Sequence, residues 1–128
     1  MKMDYLVLGT SNMDASVAFY DALFAQDEFA QVFATERMTF WQGKDFTFAV
    51  AIPFNEEPAT NGNGTMVGFA FDAAEKVEQH YHKALELGGT CEGQPNQRGP
   101  RFSAYVRDLD KNKIVFSSNV QAATGSTQ

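Results

Sequence analysis

Tyr105-Val106-Arg107-Asp108-Leu109-Asp110-Lys111-Asn112-Lys113-Ile114 carries an acidic turn between two strand-like runs. Asp and Asn side chains bond backbone N–H groups a few residues on, so Asp108, Asp110 and Asn112 predict a tight turn over 108–112. The flanking alternation predicts strands over about 102–107 and 113–118. A further strand-like run over about 90–94 precedes them, and Gly88-Gly89 before it is a helix stop. Upstream, Val77, Tyr81 and Leu85 recur every four residues and predict one helix face. Asp72 is a candidate cap for that helix, and Met66 to Phe71 reads as a strand. The order is strand, helix, strand, strand, strand.

The first half of the chain repeats that order. Tyr5 to Gly9 reads as a strand, and Ser11-Asn12 offer side chains that cap a helix. Met13, Val17, Tyr20 and Phe24 then share one helical face. Strand-like segments follow over about 28–35, 38–42 and 46–53, with Gly43-Lys44-Asp45 as a hairpin turn between the last two. A shift of about 61 residues carries Tyr5 onto Met66, Tyr20 onto Tyr81 and Phe24 onto Leu85, as in an internal duplication. Between the halves, 55–64 holds Pro58, three Asn and two Gly and reads as a linker. The fold expected is α+β: one domain over 1–118, with module one about 1–54, linker about 55–64, module two about 65–118, and a flexible tail over 119–128.

The charge pattern excludes some partners. With 10 Lys and Arg against 16 Asp and Glu, the net charge is −6 and the basic residues are scattered, which argues against nucleic acid. Acidity of this kind keeps a protein soluble or favours a cationic ligand. No apolar run is long enough to span a membrane. Cys91 is the only cysteine, so no internal disulfide forms and a reducing, cytoplasmic setting is expected. His80 and His82, two apart on a helix, point about 200° from each other and cannot share an ion from one face. They are expected at the surface.

The Asp-x-Asp-x-Asn-Lys turn at 108–113, the linker from Pro53 through Pro58-Ala59-Thr60 into Met66 to Phe71, and the opening helix with Ala18 to Phe24 occur in order along the chain. Together they resemble the glyoxalase, bleomycin-resistance and dioxygenase superfamily, also called the vicinal oxygen chelate superfamily. The resemblance implies two βαβββ modules whose mixed sheets curl into a cup, and a homodimer. It also implies a divalent metal held by a His on the first strand of each module and a Glu on the last strand. Here those places hold Tyr5, Met66 and Val115, none a good divalent-metal ligand. No metal and no cofactor is therefore expected.

On this fold, strand alternation puts Tyr5, Val7, Met66, Gly68, Ser103, Tyr105, Lys113 and Val115 on the concave side. Phe48 and Val50 are expected there too, and Arg101, with Arg98, at the rim as a solvated loop residue or a bidentate clamp on an anion. The expected ligand-binding set is Tyr5, Val7, Phe48, Val50, Met66, Gly68, Arg101, Ser103, Tyr105 and Val115. Such a lining suits a small organic molecule held by burial. Ser103, Ser117 and Cys91 have no plausible His partner, so no nucleophile with a base can be assembled. The leading expectation is a metal-independent protein that sequesters or senses a small molecule. The alternative is a lyase, isomerase or dioxygenase-type enzyme with an altered metal site.

Overall fold

A computed structural model describes residues 1–119, and 120–128, most of the expected tail, lie outside the described residues. The first half runs β1 (Tyr5–Gly9), α1 (Met13–Leu23), β2 (Ala30–Ala34), β3 (Met38–Gln42) and β4 (Thr47–Ala51). Its sheet order is β1-β4-β3-β2, with β1 parallel to β4 and the other pairs antiparallel. Asn12 caps α1 as expected: its side chain accepts the Ala15 N–H at 3.0 Å. The crossover through α1 is what makes β1 and β4 parallel, and the short turns between β2, β3 and β4 keep the rest antiparallel.

The second half is β5 (Met66–Phe71), α2 (Ala74–Glu86), β6 (Thr90–Arg98), β7 (Arg101–Arg107) and β8 (Lys113–Ser118), in the order β5-β8-β7-β6. The two modules thus share one topology. β6 is longer than its sequence suggests, continuing through Gly93 and Pro95 to Arg98 with irregular register at both places. Pro95 is tolerated because β6 is an edge strand, where a missing N–H costs no ladder bond. Asp72 is not the cap of α2. Ala73 occupies that position without a side-chain bond, and Asp72 instead pairs with Lys76 at 2.8 Å one turn on.

Helices and sheets of both modules bury one continuous core. Phe24 at the end of α1 meets Phe69 of β5 at a ring separation of 4.8 Å, and Phe48 of β4 meets Phe69 at 5.7 Å. The modules therefore join through their helix-covered sides. Polar bonds lock the same junction: the Asp108–Asn112 turn reaches module one through Ser11 N–H to Asp110 and Asn112 Nδ2 to the Gly9 carbonyl, both 2.9 Å. His80 corrects the expectation of a surface residue. It is buried, stacks on Phe71 at 4.1 Å, and its two ring nitrogens face Asp27 Oδ2 and the Lys76 carbonyl, each at 2.6 Å. No described helix is long and apolar enough to cross a membrane.

Candidate functional site

With the helices and the core on one side of each sheet, the other side is left open. In module two the open face holds a cavity of about 330 Å³ lined by Met66, Gly68, Ala70, Arg98, Arg101, Ser103, Tyr105, Val115 and Ser117. Its floor follows from the register. Gly68, Val115 and Tyr105 sit side by side across β5, β8 and β7, and Ala70, Ser117 and Ser103 form the next row. Gly68 keeps the floor low, since a Cβ there would lie 3.2 Å from Val115 Cγ1. Gly93 does the same beside Tyr105, where a Cβ would lie 3.0 Å from the ring.

Six expected residues, Met66, Gly68, Arg101, Ser103, Tyr105 and Val115, come together in this one cavity. Tyr5 and Val7 do not join them. They lie exposed on the corresponding face of module one, where Tyr5 packs edge-on against Phe40 with ring centroids 5.6 Å apart. Phe48 and Val50 are corrected outright. Tyr5 pairs with Thr47 and Val7 with Ala49, so Phe48 and Val50 point to the helix side. Both are fully buried, and Phe48 packs on Tyr20 at 4.9 Å.

Two lining residues outside the expected set, Ala70 and Ser117, continue the alternation from Gly68 and Val115 and were readable by period two. Arg98 reaches the cavity because β6 runs on to that residue. Its guanidinium donates to the Ser103 carbonyl, to Ser103 Oγ at 3.2 Å and to the Gln94 carbonyl at 2.9 Å. Arg101 donates to Asn119 Oδ1 and Ser117 Oγ, each 2.8 Å. Arg98 and Lys113 stand 5.2 and 5.3 Å from the Tyr105 ring centroid, in cation–π range. A second hollow, lined by residues 61–66 of the linker and β5 with Arg107 and Lys113, adjoins the first at Met66.

The donors present do not fit a divalent ion. No group of three or more His, Cys, Asp or Glu side chains converges anywhere among the described residues. Met66 and Val115 line the cavity as a thioether and a hydrocarbon, and Met66 pairs across the sheet with Lys113, whose ammonium would repel a cation. The two acidic residues of the 108–112 turn are engaged elsewhere. Asp108 Oδ1 accepts the N–H groups of Asp110 and Asn112 at 2.9 Å, and Oδ2 accepts the Tyr20 hydroxyl at 2.6 Å. Burial holds the Asp108 carboxyl above the usual Asp range despite these bonds. Burial, then the Asp108 charge, pushes the Tyr20 phenol well above its ordinary value.

Residues 2–116 match the family model described as the Glyoxalase/Bleomycin resistance protein/Dioxygenase superfamily. The chain belongs to this superfamily. Within it, a solved glyoxalase/bleomycin resistance protein from Albidiferax ferrireducens T118 is 33% identical, with a TM-score of 0.83 over 91% of this chain and 97% of that one. A glyoxalase-related enzyme from Fulvimarina pelagi shares the fold at 20% identity and a TM-score of 0.80, covering 100% of this chain and 97% of its own. A fosfomycin resistance protein, FosX, from Listeria monocytogenes shares it at 13% identity and 0.72, covering 94% and 93%. No curated protein matches the chain in sequence. Superfamily membership accounts for the paired βαβββ modules and for the open sheet faces.

Proposed function

We propose that this superfamily member binds a small organic molecule in the module-two cavity and does so without a divalent metal, acting by sequestration or sensing. The observation that carries the reading is the lining: Met66 and Val115 occupy two of the three places where the superfamily resemblance puts metal ligands, and both face the cavity. A concave, partly apolar hollow with a few convergent polar groups is the ordinary form of a small-molecule site. Tyr5, at the third place, lies on the other module's face, exposed.

The two open faces also support a homodimer. Tyr5, Val7 and Phe33 leave much of their apolar surface to solvent on module one, beside Phe40. Paired about a twofold axis, a second copy would lay that face over the module-two cavity and cover both at once. Sedimentation is expected to give a species of twice 14.2 kDa, and a single species of 14.2 kDa would contradict the pairing. The lone, exposed Cys91 fits a reducing cytoplasm.

The test of metal independence is a thermal-shift screen of purified protein with Mn²⁺, Ni²⁺, Zn²⁺ and Mg²⁺, together with metal analysis. Unchanged melting and substoichiometric metal are expected. A marked rise with one ion at stoichiometric occupancy would favour a metal-dependent lyase, isomerase or dioxygenase instead.

A further inference from the structure

We propose that the molecule taken by the module-two cavity is an organic oxyanion, a carboxylate, phosphate or phosphonate on an apolar body, with Arg98, Arg101 and Lys113 holding its charge. The inference rests on the cavity being a binding site and adds what that site selects.

The first support is the local charge. The protein carries a net charge of −6, yet the lining of the cavity and of the adjoining hollow contains Arg98, Arg101, Arg107 and Lys113 and no carboxylate. Among the described residues, Arg107 is paired with Glu92 at 3.3 Å, whereas Arg98, Arg101 and Lys113 take part in no ion pair. Surface charges farther than about 8 Å are screened at physiological ionic strength, so the groups of this wall weigh most on a ligand in the cavity.

The second support is how the cations are held. Among the described residues, Arg98 donates three hydrogen bonds and Arg101 two, all to neutral oxygens, which leaves part of each five-donor fork free and the positive charge without an anionic partner. Arg98 and Lys113 also share one aromatic ring, that of Tyr105. Gathering like charges costs free energy, and an anion between them removes that cost.

The third support is donor chemistry. Ser103 and Ser117 are cross-strand partners, and each hydroxyl oxygen accepts from one arginine. A hydroxyl that accepts keeps its own proton to donate. Two hydroxyl donors beside two guanidinium groups suit the several oxygens of a carboxylate or phosphate, in the charge-assisted geometry that favours arginine. Met66, Ala70 and Val115, with the low floor at Gly68, then take the apolar body.

The test is calorimetric titration of the intact chain at low salt with four probes of similar shape: benzoate, phenylphosphonate, benzamide and benzylamine. The two anions are expected to bind at least about tenfold tighter than the neutral and cationic probes, with affinity falling as salt rises. The tighter of the two anions assigns the headgroup. Lys113→Gln and Arg101→Gln should each weaken the anions by about tenfold and benzamide by much less; circular dichroism confirms folding, and Lys113, whose side chain makes no hydrogen bond among the described residues, serves if Arg101→Gln does not fold. Benzamide or benzylamine binding as tightly as the anions, or anion binding indifferent to Lys113→Gln, would overturn the charge assignment while leaving the cavity as a binding site. No binding by any probe at millimolar concentration would overturn both.

Discussion

The Tyr20 hydroxyl on α1 donates a 2.6 Å hydrogen bond to Asp108 Oδ2 in the β7–β8 turn, joining residues 88 apart in the chain and one module to the other. Both groups are buried, so neither can exchange this bond for water. Tyr20→Phe removes the donor and leaves a buried carboxylate short of a partner. A loss of about 1–3 kcal/mol is expected in urea unfolding. Unchanged stability would show that the latch contributes nothing.

The same phenol sets an alkaline limit. Its folded pKa lies well above the unfolded value of 10.0, so the folded chain holds a proton that the unfolded chain releases. Stability from this group is therefore complete below about pH 10 and falls as pH rises beyond it. Tyr20→Phe should flatten that decline. A wild-type pH profile that is flat above 10, or a decline identical in Tyr20→Phe, would contradict the assignment.

Strand parity gives a contrast between two aromatic residues in adjacent strands. Phe48 is fully buried among Tyr20, Trp41 and Phe69, whereas Tyr5 is 49% exposed on the open face. Phe48→Ala is expected to cost about 3–5 kcal/mol and Tyr5→Ala under about 1 kcal/mol, as surface substitutions do. Denaturant melts of the two variants decide it; equal losses would mean the faces are misassigned.

These faces mark where the sequence stops being informative. The 108–112 turn, the Asn12 cap and the helix faces of Val17, Tyr20, Val77 and Tyr81 are local features, and local chemistry specifies them. In β4 every residue from Phe48 to Ala51 is apolar and buried, so no alternation tells which side faces the helix. Its orientation is set by pairing with β1, a contact some 42 positions away. His80 was obscured for the same reason: it lies among the polar residues Glu78, Gln79 and His82, and its partner Asp27 lies 53 residues upstream. Arg98 reads as a loop residue at the rim, because Pro95 and Gly99-Pro100 around it mask the strand until the edge position of β6 is known.

The His80 contact gives its own expectation. Asp27 bonds the buried ring at 2.6 Å while itself keeping some contact with solvent. Asp27→Ala leaves one nitrogen of a buried imidazole without its hydrogen-bond partner, at a cost of about 1–3 kcal/mol. Asp27→Asn, whose amide can either accept or donate, should recover part of the loss. Equal melting temperatures for the wild type and Asp27→Ala would remove this bond from the account.

Gly68 separates binding from folding. It lines the cavity, and a Cβ there would press on Val115 Cγ1 at 3.2 Å, so Gly68→Leu directs a side chain into the space a ligand would take. The variant is expected to keep the wild-type circular dichroism spectrum and to weaken any cavity ligand by more than about tenfold. Retained affinity would place binding elsewhere.

The most direct measurement is an amide NMR titration of the full chain with phenylphosphonate in the presence of a chelator. Saturable shifts should concentrate at residues 66–70, 101–105 and 113–117, the three strands that build the hollow. Shifts confined to other surfaces, or a response that disappears with the chelator and returns on adding a divalent ion, would contradict a metal-free pocket on module two.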